Sequence, residues 1–190
     1  MNFLPVTWDD VHVMSLKIAR KVIKDGYTPD AIVGILRGGF IIARIIADVL
    51  GIEDLGTVEV KFYKGIGEPS ERPVITQPLT LDVRDKKVLI VDDVVDSGRT
   101  LEVATEQVRL RGASIVKSAA LFAKPKSIIF PDFYIKLTTE WVLFPWELGE
   151  FLKEFSDSIN VGNIKEKLKK VGLNVSDELL AELAGVLKER

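Results

Sequence analysis

Residues 88–101 bring together an apolar run, three carboxylates and a small polar turn. The apolar run ends at Asp92 and Asp93, and the turn that follows contains Asp96, Ser97, Gly98, Arg99 and Thr100. A glycine lets the backbone approach a ligand closely, and the amides of a first helical turn and two hydroxyls are hydrogen-bond donors, so this turn is suited to a phosphate group. Carboxylates would repel that phosphate, so we expect Asp92 and Asp93 to accept hydrogen bonds from sugar hydroxyls or to help place a metal ion.

A second glycine-containing turn, formed by Leu36, Arg37, Gly38 and Gly39, lies about fifty residues earlier in the chain. Bare backbone amides beside a guanidinium group suit a diphosphate. On its own, such a turn is more often a simple connection between a strand and a helix.

The elements around these turns follow from hydrophobic periodicity and from helix start and stop signals. Strands are predicted at residues 31–36, 57–63, 88–91 and 114–122, and helices at residues 7–25, where Thr7 is the cap, 40–50 and 100–111. Residues 64–78 are polar and rich in glycine, proline and charge, which predicts a loop. The alternation of strands and helices predicts a doubly wound, mostly parallel α/β sheet, with both turns at the carboxyl ends of the strands.

Two further segments could hold a planar ring. Lys124 follows a predicted strand, and residues 141–147 supply the indole of Trp141, the backbone near Val142 and the carboxylate of Glu147. An indole can stack on a purine while a lysine donates to an exocyclic oxygen. Trp141 and Trp146 are equally suited to a hydrophobic core, and Lys124 to a solvated strand end.

The order of four hydrophobic residues, two acids, two hydrophobic residues and then Asp-Ser-Gly-x-Thr resembles the phosphoribosyl pyrophosphate (PRPP) signature of type I phosphoribosyltransferases. The Ala-Lys-Pro sequence at Lys124 and the Trp-x-x-x-Pro-Trp-acid run that begins at Trp141 resemble the small purine members of that family, of the xanthine-guanine type, over roughly residues 6–150. Phe144 and Glu147 depart from the bacterial pattern, so the resemblance does not rank xanthine, guanine and hypoxanthine.

The resemblance implies transfer of a phosphoribosyl group from PRPP to a 6-oxopurine, with a nucleoside monophosphate and pyrophosphate as products and Mg²⁺ as cofactor. It assigns the acid beside purine N7 to Asp96, the ribose contacts to Asp92 and Asp93, either of which could also touch the metal, the 5′-phosphate site to residues 96–100, and the pyrophosphate site to residues 36–39. It assigns the base contacts to Lys124, Trp141, Val142 and Glu147. It also identifies residues 64–78 with a closing loop, in which Lys64 and Arg72 could contact phosphate.

Composition fits such an enzyme. The chain has 190 residues, 47% of them hydrophobic, a formal net charge of −2, no cysteine and one histidine, His12. These numbers exclude disulfides and thiolate sites and make a multi-histidine metal site or a nucleic-acid partner unexpected. With no long apolar run and no signal peptide, we expect no membrane contact and a cytoplasmic location.

We expect residues 1–150 to form the catalytic core, including a small base-recognition region. Residues 151–190 are predicted to form a helical extension, with helices at 163–171 and 176–188, that packs on the core or on a partner subunit of a homodimer or larger homo-oligomer.

The same residues bear on three other functions. A phosphoacceptor receiver domain would place its lysine much farther beyond the paired acids than Lys124 lies. A PRPP-sensing regulator without catalysis would usually lose active-site residues or carry a DNA-binding domain, and neither is seen here. Adenine remains an alternative substrate on the same scaffold, although adenine enzymes commonly lack an acid at the position of Asp96.

Overall fold

The computed structural model describes residues 2–63, 72–155 and 161–189. The contacts among these residues divide the chain into two units. The larger unit contains residues 11–139, and the smaller unit contains residues 2–10 and 140–189. The boundary expected at residue 150 from the sequence falls inside the smaller unit.

The described strands and helices alternate over most of the chain. The strands are β1 (Phe3–Pro5), β2 (Ala31–Leu36), β3 (Leu55–Tyr63), β4 (Arg72–Gln77), β5 (Lys87–Val95), β6 (Ile115–Ala123), β7 (Phe133–Leu137) and β8 (Trp141–Leu143). The helices are α1 (Trp8–Lys24), α2 (Gly38–Leu50), α3 (Arg99–Leu110), α4 (Leu148–Phe155), α5 (Val161–Lys170) and α6 (Asp177–Lys188), with a 3₁₀-helix at Pro145–Glu147. This is the mixed α/β architecture that the sequence predicts.

The sheet of the larger unit has the strand order β4-β3-β2-β5-β6-β7. All neighbouring strands are parallel except β3 and β4, which are antiparallel. Residues 88–91 of β5 are fully buried, as expected for a strand that lies inside a parallel sheet. The carboxyl ends of β2, β5 and β6 therefore lie side by side, and the loops that follow them form one edge.

The core of the larger unit joins the sheet to helix α3. Leu101, Ala104 and Val108 of this helix are buried against residues of β2, β3 and β5, including Val33, Val58 and Ile90. This helical spacing places one apolar stripe of α3 on the sheet. The first residues of α3 are thereby fixed at the end of β5.

The smaller unit joins the amino-terminal strand to the carboxy-terminal helices. Strand β1 pairs in parallel with β8, with Phe3 opposite Trp141 and Leu4 opposite Val142. Buried leucines of the extension, including Leu168 and Leu180, share a hydrophobic cluster with Leu143. The hydroxyl of Ser176 caps α6 by accepting the amide hydrogen of Leu179 at 3.1 Å.

Two local predictions need correction. Residues 64–78 are not a loop throughout, because Arg72–Gln77 form β4 and pair with β3. The β-branched residues Val74, Ile75 and Thr76 suit a strand, and the partner strand supplies the pairing that local composition does not show. Strand β5 also continues to Val95, beyond the predicted end at residue 91. Lys64 lies outside the described residues.

Candidate active site

Asp92 and Asp93 lie within the last residues of β5, at the edge where the two glycine-containing turns meet. The Asp92 carboxylate accepts the amide hydrogen of Asp93 at 2.9 Å, and the Asp93 carboxylate accepts that of Val94 at 2.8 Å. Asp92 is only 8% exposed. Each carboxylate is thus held against its own backbone, with further lone pairs available for a ligand.

Burial sets the electrostatics of this pair. It raises the pKa of the Asp92 carboxyl well above its ordinary value, and the neighbouring charge of Asp93 raises it further. Burial also raises the pKa of Asp93, although backbone hydrogen bonding opposes the shift. Two buried acids with raised pKa values favour a nearby hydroxyl donor or a cation, which would stabilise their charge.

The turn from Asp96 to Arg99 directs the chain into helix α3. Gly98 has φ of +85°, a backbone conformation that residues with a side chain rarely adopt. A Cβ atom at Gly98 would lie 2.7 Å from the Ser127 hydroxyl oxygen and 2.8 Å from the Ile129 nitrogen. The segment after β6 therefore covers this turn closely and limits position 98 to glycine.

A cavity of about 550 Å³ lies against the same turn and is lined by Phe62, Ser97, Arg99, Lys126 and Ile128. The Lys126 ammonium lies 2.9 Å from a carboxylate oxygen of Asp96. The cavity thus has a hydroxyl and two cations beside the start of a helix, a combination that suits a phosphate group.

The turn at Arg37 lies next to these acids. The peptide bond between Leu36 and Arg37 is cis, and α2 begins at Gly38. A Cβ atom at Gly39 would lie 2.5 Å from the Val91 carbonyl oxygen and 2.8 Å from the Asp92 Cα atom. The structure therefore places the Arg37 turn directly against the end of β5, on the predicted sheet edge from which the Gly98 turn also continues.

The charge of Arg37 also reaches the neighbouring strand β3. A hydrogen bond from the Thr76 hydroxyl at 2.6 Å, together with Lys61 and the charge of Arg37, lowers the pKa of Glu59. The Arg37 turn is thus set among charged groups on both sides.

The predicted base contacts are divided between the units. Lys124 follows β6 in the larger unit, and its amide donates to the Val95 carbonyl oxygen at 2.9 Å, which places it beside the Asp96 turn. In the smaller unit, Trp141 is 53% exposed and Val142 is buried in β8. The Glu147 carboxylate accepts the amide hydrogen of Phe144 at 3.2 Å and so caps the 3₁₀-helix.

The remaining predicted residues have defined positions. Thr100 lies in the first turn of α3, and Arg72 begins β4 opposite Tyr63. Lys126 was not predicted, although it lies only two residues after Lys124 and its positive charge beside the Ala-Lys-Pro sequence was a visible signal.

Across residues 2–63, 72–155 and 161–189, the side chains form no group of three or more His, Cys, Asp or Glu residues able to hold a metal ion. Over the same residues, no helix is both long enough and apolar enough to span a membrane.

Comparison with known proteins gives consistent results. The sequence profile of the phosphoribosyl transferase domain matches residues 10–150. The chain is 37% identical over 153 residues to the xanthine-guanine phosphoribosyltransferase of Cereibacter sphaeroides, covering 76% of this chain and 86% of that relative. It is 32% identical over 149 residues to the protein of the same name from Gluconobacter oxydans, covering 77% of this chain and 86% of that relative.

Solved structures agree with these relatives. The crystal structure of a purine phosphoribosyltransferase from Pyrococcus horikoshii superposes with a TM-score of 0.70 and 42% sequence identity, covering 77% of this chain and 94% of the other. The xanthine-guanine-hypoxanthine phosphoribosyltransferase of Helicobacter pylori has the same fold, with a TM-score of 0.65 at 22% identity over 80% of this chain and 99% of that one.

Proposed function

Since this chain belongs to the phosphoribosyl transferase family, we propose that it transfers the 5-phosphoribosyl group of PRPP to a 6-oxopurine. The products are the purine nucleoside monophosphate and pyrophosphate. The observation that carries the proposal is the junction of β5 and α3, where buried Asp92, the Gly98 turn and the Arg37 turn meet at one edge of the sheet. This edge offers hydrogen-bond acceptors for sugar hydroxyls between two groups of hydrogen-bond donors that suit phosphates.

In this reaction the bond between ribose C1 and the pyrophosphate oxygen breaks, and a bond between C1 and a purine nitrogen forms. Positive charge develops on the ribose ring as the pyrophosphate leaves. Catalysis is then a matter of positioning the reactants and stabilising charge. We assign the ribose hydroxyls to Asp92 and Asp93, the 5′-phosphate to residues 96–100, and the pyrophosphate to residues 36–39.

Asp96 is the proposed acid–base group of the reaction. Its carboxylate is 57% exposed and is paired with Lys126, which lines the cavity together with Ser97 and Arg99. From there it would share or accept the proton of purine N7 as the base becomes bonded to ribose.

Lys124, Trp141, Val142 and Glu147 are the proposed base contacts. A lysine donor selects the O6 acceptor of an oxopurine over the N6 amino group of adenine, because the N6 amino group is a donor and cannot accept a hydrogen bond from the ammonium. Trp141 is 53% exposed and so has the accessible indole that stacking requires.

The residues at the β5 edge fit Mg²⁺ that arrives with the substrate. Two adjacent carboxylates, Asp92 and Asp93, supply hard oxygen ligands but are too few for a cage made of protein alone, and Mg²⁺ is commonly held by one or two carboxylates together with substrate phosphates. When bound, the ion would neutralise charge on the leaving pyrophosphate.

We also propose a cytoplasmic location and assembly into a homodimer or a larger homo-oligomer. PRPP carries several charges and does not cross a hydrocarbon layer unaided, which favours the compartment in which it is made. Sedimentation equilibrium measures the mass of the assembly. A mass of 21.2 kDa, that of one chain, would contradict the proposed homo-oligomer.

The proposal is tested by nucleotide formation from PRPP and Mg²⁺ with hypoxanthine, guanine, xanthine, adenine and uracil in parallel, separated by chromatography. We expect turnover of at least one oxopurine, loss of turnover with excess EDTA, and a decrease of kcat of about a hundredfold or more in Asp96→Asn. Turnover of adenine alone would contradict the base assignment. PRPP binding without turnover of any base would identify a sensor instead.

A further inference from the structure

The segment that follows strand β6 is docked onto the turn that contains Asp96. The amide of Lys124 donates to the Val95 carbonyl oxygen at 2.9 Å, and the amide of Ile128 donates to the Ser97 carbonyl oxygen at 3.0 Å. The Ser127 hydroxyl donates to the Ile129 carbonyl oxygen at 2.6 Å and so fixes the shape of this segment. Backbone contacts on both sides of Asp96 therefore hold residues 124–129 in place over the turn.

Lys126 extends from the middle of this segment to Asp96. Its ammonium lies 2.9 Å from an Asp96 carboxylate oxygen, a distance typical of a charge-assisted hydrogen bond. This pair joins the docked segment to the carboxylate of the turn. The carboxylates of Asp92 and Asp93 differ, because backbone amides hold them.

An exposed carboxylate without such a partner samples several rotamers. The Asp96 side chain is 57% exposed, so solvent alone would leave it free to rotate about its side-chain bonds. The Lys126 side chain is itself 70% exposed, but its backbone segment is docked, and through the ion pair it restricts that rotation. Because Lys126 also lines the cavity with Ser97 and Arg99, the restricted carboxylate stays beside a group that lines this cavity.

We infer that Lys126 is a positioning residue, which holds the Asp96 carboxylate in the orientation needed for proton exchange with the purine. The inference rests on the proposed function. It makes the segment 124–129 a link between base recognition by Lys124 and acid–base chemistry at Asp96. In this role Lys126 acts on the reaction through Asp96, although its side chain also lines the cavity beside the Gly98 turn.

The test is a double-mutant cycle measured by steady-state kinetics with PRPP and the oxopurine that the wild-type protein uses best. The variants are Lys126→Met, Asp96→Asn, the double variant and Lys126→Arg. Lys87→Met is the matched control, because Lys87 is an exposed lysine at the amino end of β5, on the opposite edge of the sheet.

We expect Lys126→Met to lower kcat about fivefold, the upper end of what an exposed ion pair contributes, and to leave KM for PRPP within about twofold. Adding Lys126→Met to Asp96→Asn should leave kcat unchanged, because the carboxylate to be positioned is already absent. Lys126→Arg should restore most of the loss, and Lys87→Met should match the wild type.

Three results would overturn the inference: an unchanged or higher kcat in Lys126→Met, the same proportional loss with and without Asp96, or a rise of KM for PRPP alone. The last result would identify Lys126 as a phosphate ligand. Absence of turnover in the wild-type protein is a different outcome, which overturns the proposed function and this inference with it.

Discussion

Gly39 lies where helix α2 meets strand β5, and there is no room for a side chain at this position. A Cβ atom there would lie 2.5 Å from the Val91 carbonyl oxygen and 2.8 Å from the Asp92 Cα atom, whereas ordinary contacts begin at 3.4 Å. Both neighbours are backbone atoms of a central strand. Gly39→Ala should therefore separate α2 from β5 by up to about 0.9 Å, the difference between 3.4 and 2.5 Å.

Two effects determine the change in stability. Overpacking costs about 1–3 kcal/mol, while alanine is favoured over glycine in a helix by up to about 1 kcal/mol. With the full helix gain subtracted, the free energy of unfolding should still fall, by up to about 2 kcal/mol. A displacement of the Arg37 turn relative to Asp92 that approaches 1 Å should also lower kcat/KM about a hundredfold.

The assay combines urea unfolding, followed by circular dichroism, with steady-state kinetics on the same preparations. Gly185→Ala is the matched control, since Gly185 lies within helix α6 and a Cβ atom there would meet nothing within 4 Å. We expect this control to become more stable by up to about 1 kcal/mol with unchanged kcat/KM. If Gly39→Ala behaves in the same way, the close approach of α2 to β5 is refuted.

Three further predictions concern other positions. Gly98→Ala should weaken PRPP binding and lower the free energy of unfolding by about 2–4 kcal/mol. Gly26→Ala is the control, since Gly26 has φ of +73° but no atom near its Cβ; it should lose only about 1–2 kcal/mol and keep full activity. Calorimetry and kinetic assays measure both effects, and an equal loss of activity in the two variants would refute this prediction. Burial raises the pKa of Tyr27 to about 12, so the contribution of its neutral hydroxyl to the free energy of unfolding is complete below pH 10 and is lost as the pH rises to 12. Over this pH range, urea unfolding should show that the wild type loses about 2 kcal/mol relative to Tyr27→Phe. An equal pH dependence in the two proteins would contradict this prediction. Because burial raises the pKa of Asp92, its charged form opposes folding near neutral pH. Asp92→Asn should therefore be more stable than the wild type at pH 8, should lose this extra stability as the pH falls, and should lack activity. Lower stability of Asp92→Asn than of the wild type at pH 8 would contradict the raised pKa of Asp92.

The sequence predicted the elements that local patterns define. Strand β2 has the predicted ends, and Ser176 caps helix α6 through Leu179 as its position indicates. The site turns could be predicted because glycine, hydroxyl and carboxylate residues in this order indicate a site for a phosphate and a sugar, without knowledge of the fold. The sequence and solved-structure relatives confirm the family that this order resembles.

The features that the sequence did not predict depend on contacts between distant residues. Strand β5 continues through the acids because β6 pairs with it as far as Val95 opposite Ala123. Lys126 reaches Asp96 only because backbone hydrogen bonds dock its segment on the turn, and the limits on Gly39 come from a strand about fifty residues later in the chain. Local hydrophobic periodicity does not indicate which residues from distant parts of the chain will be in contact. The assigned roles of the site residues remain predictions.

The central claim is that this chain joins the ribose of PRPP to a purine and releases pyrophosphate. Phosphorus NMR of one sample containing the protein, PRPP, Mg²⁺ and hypoxanthine, with guanine and xanthine samples alongside, follows both phosphorus products directly. We expect the PRPP signals to decline while the nucleoside 5′-monophosphate and pyrophosphate appear in equal amounts in at least one sample, and we expect Asp96→Asn to slow this reaction about a hundredfold. Unchanged PRPP in all samples, or pyrophosphate without nucleotide, would contradict this claim.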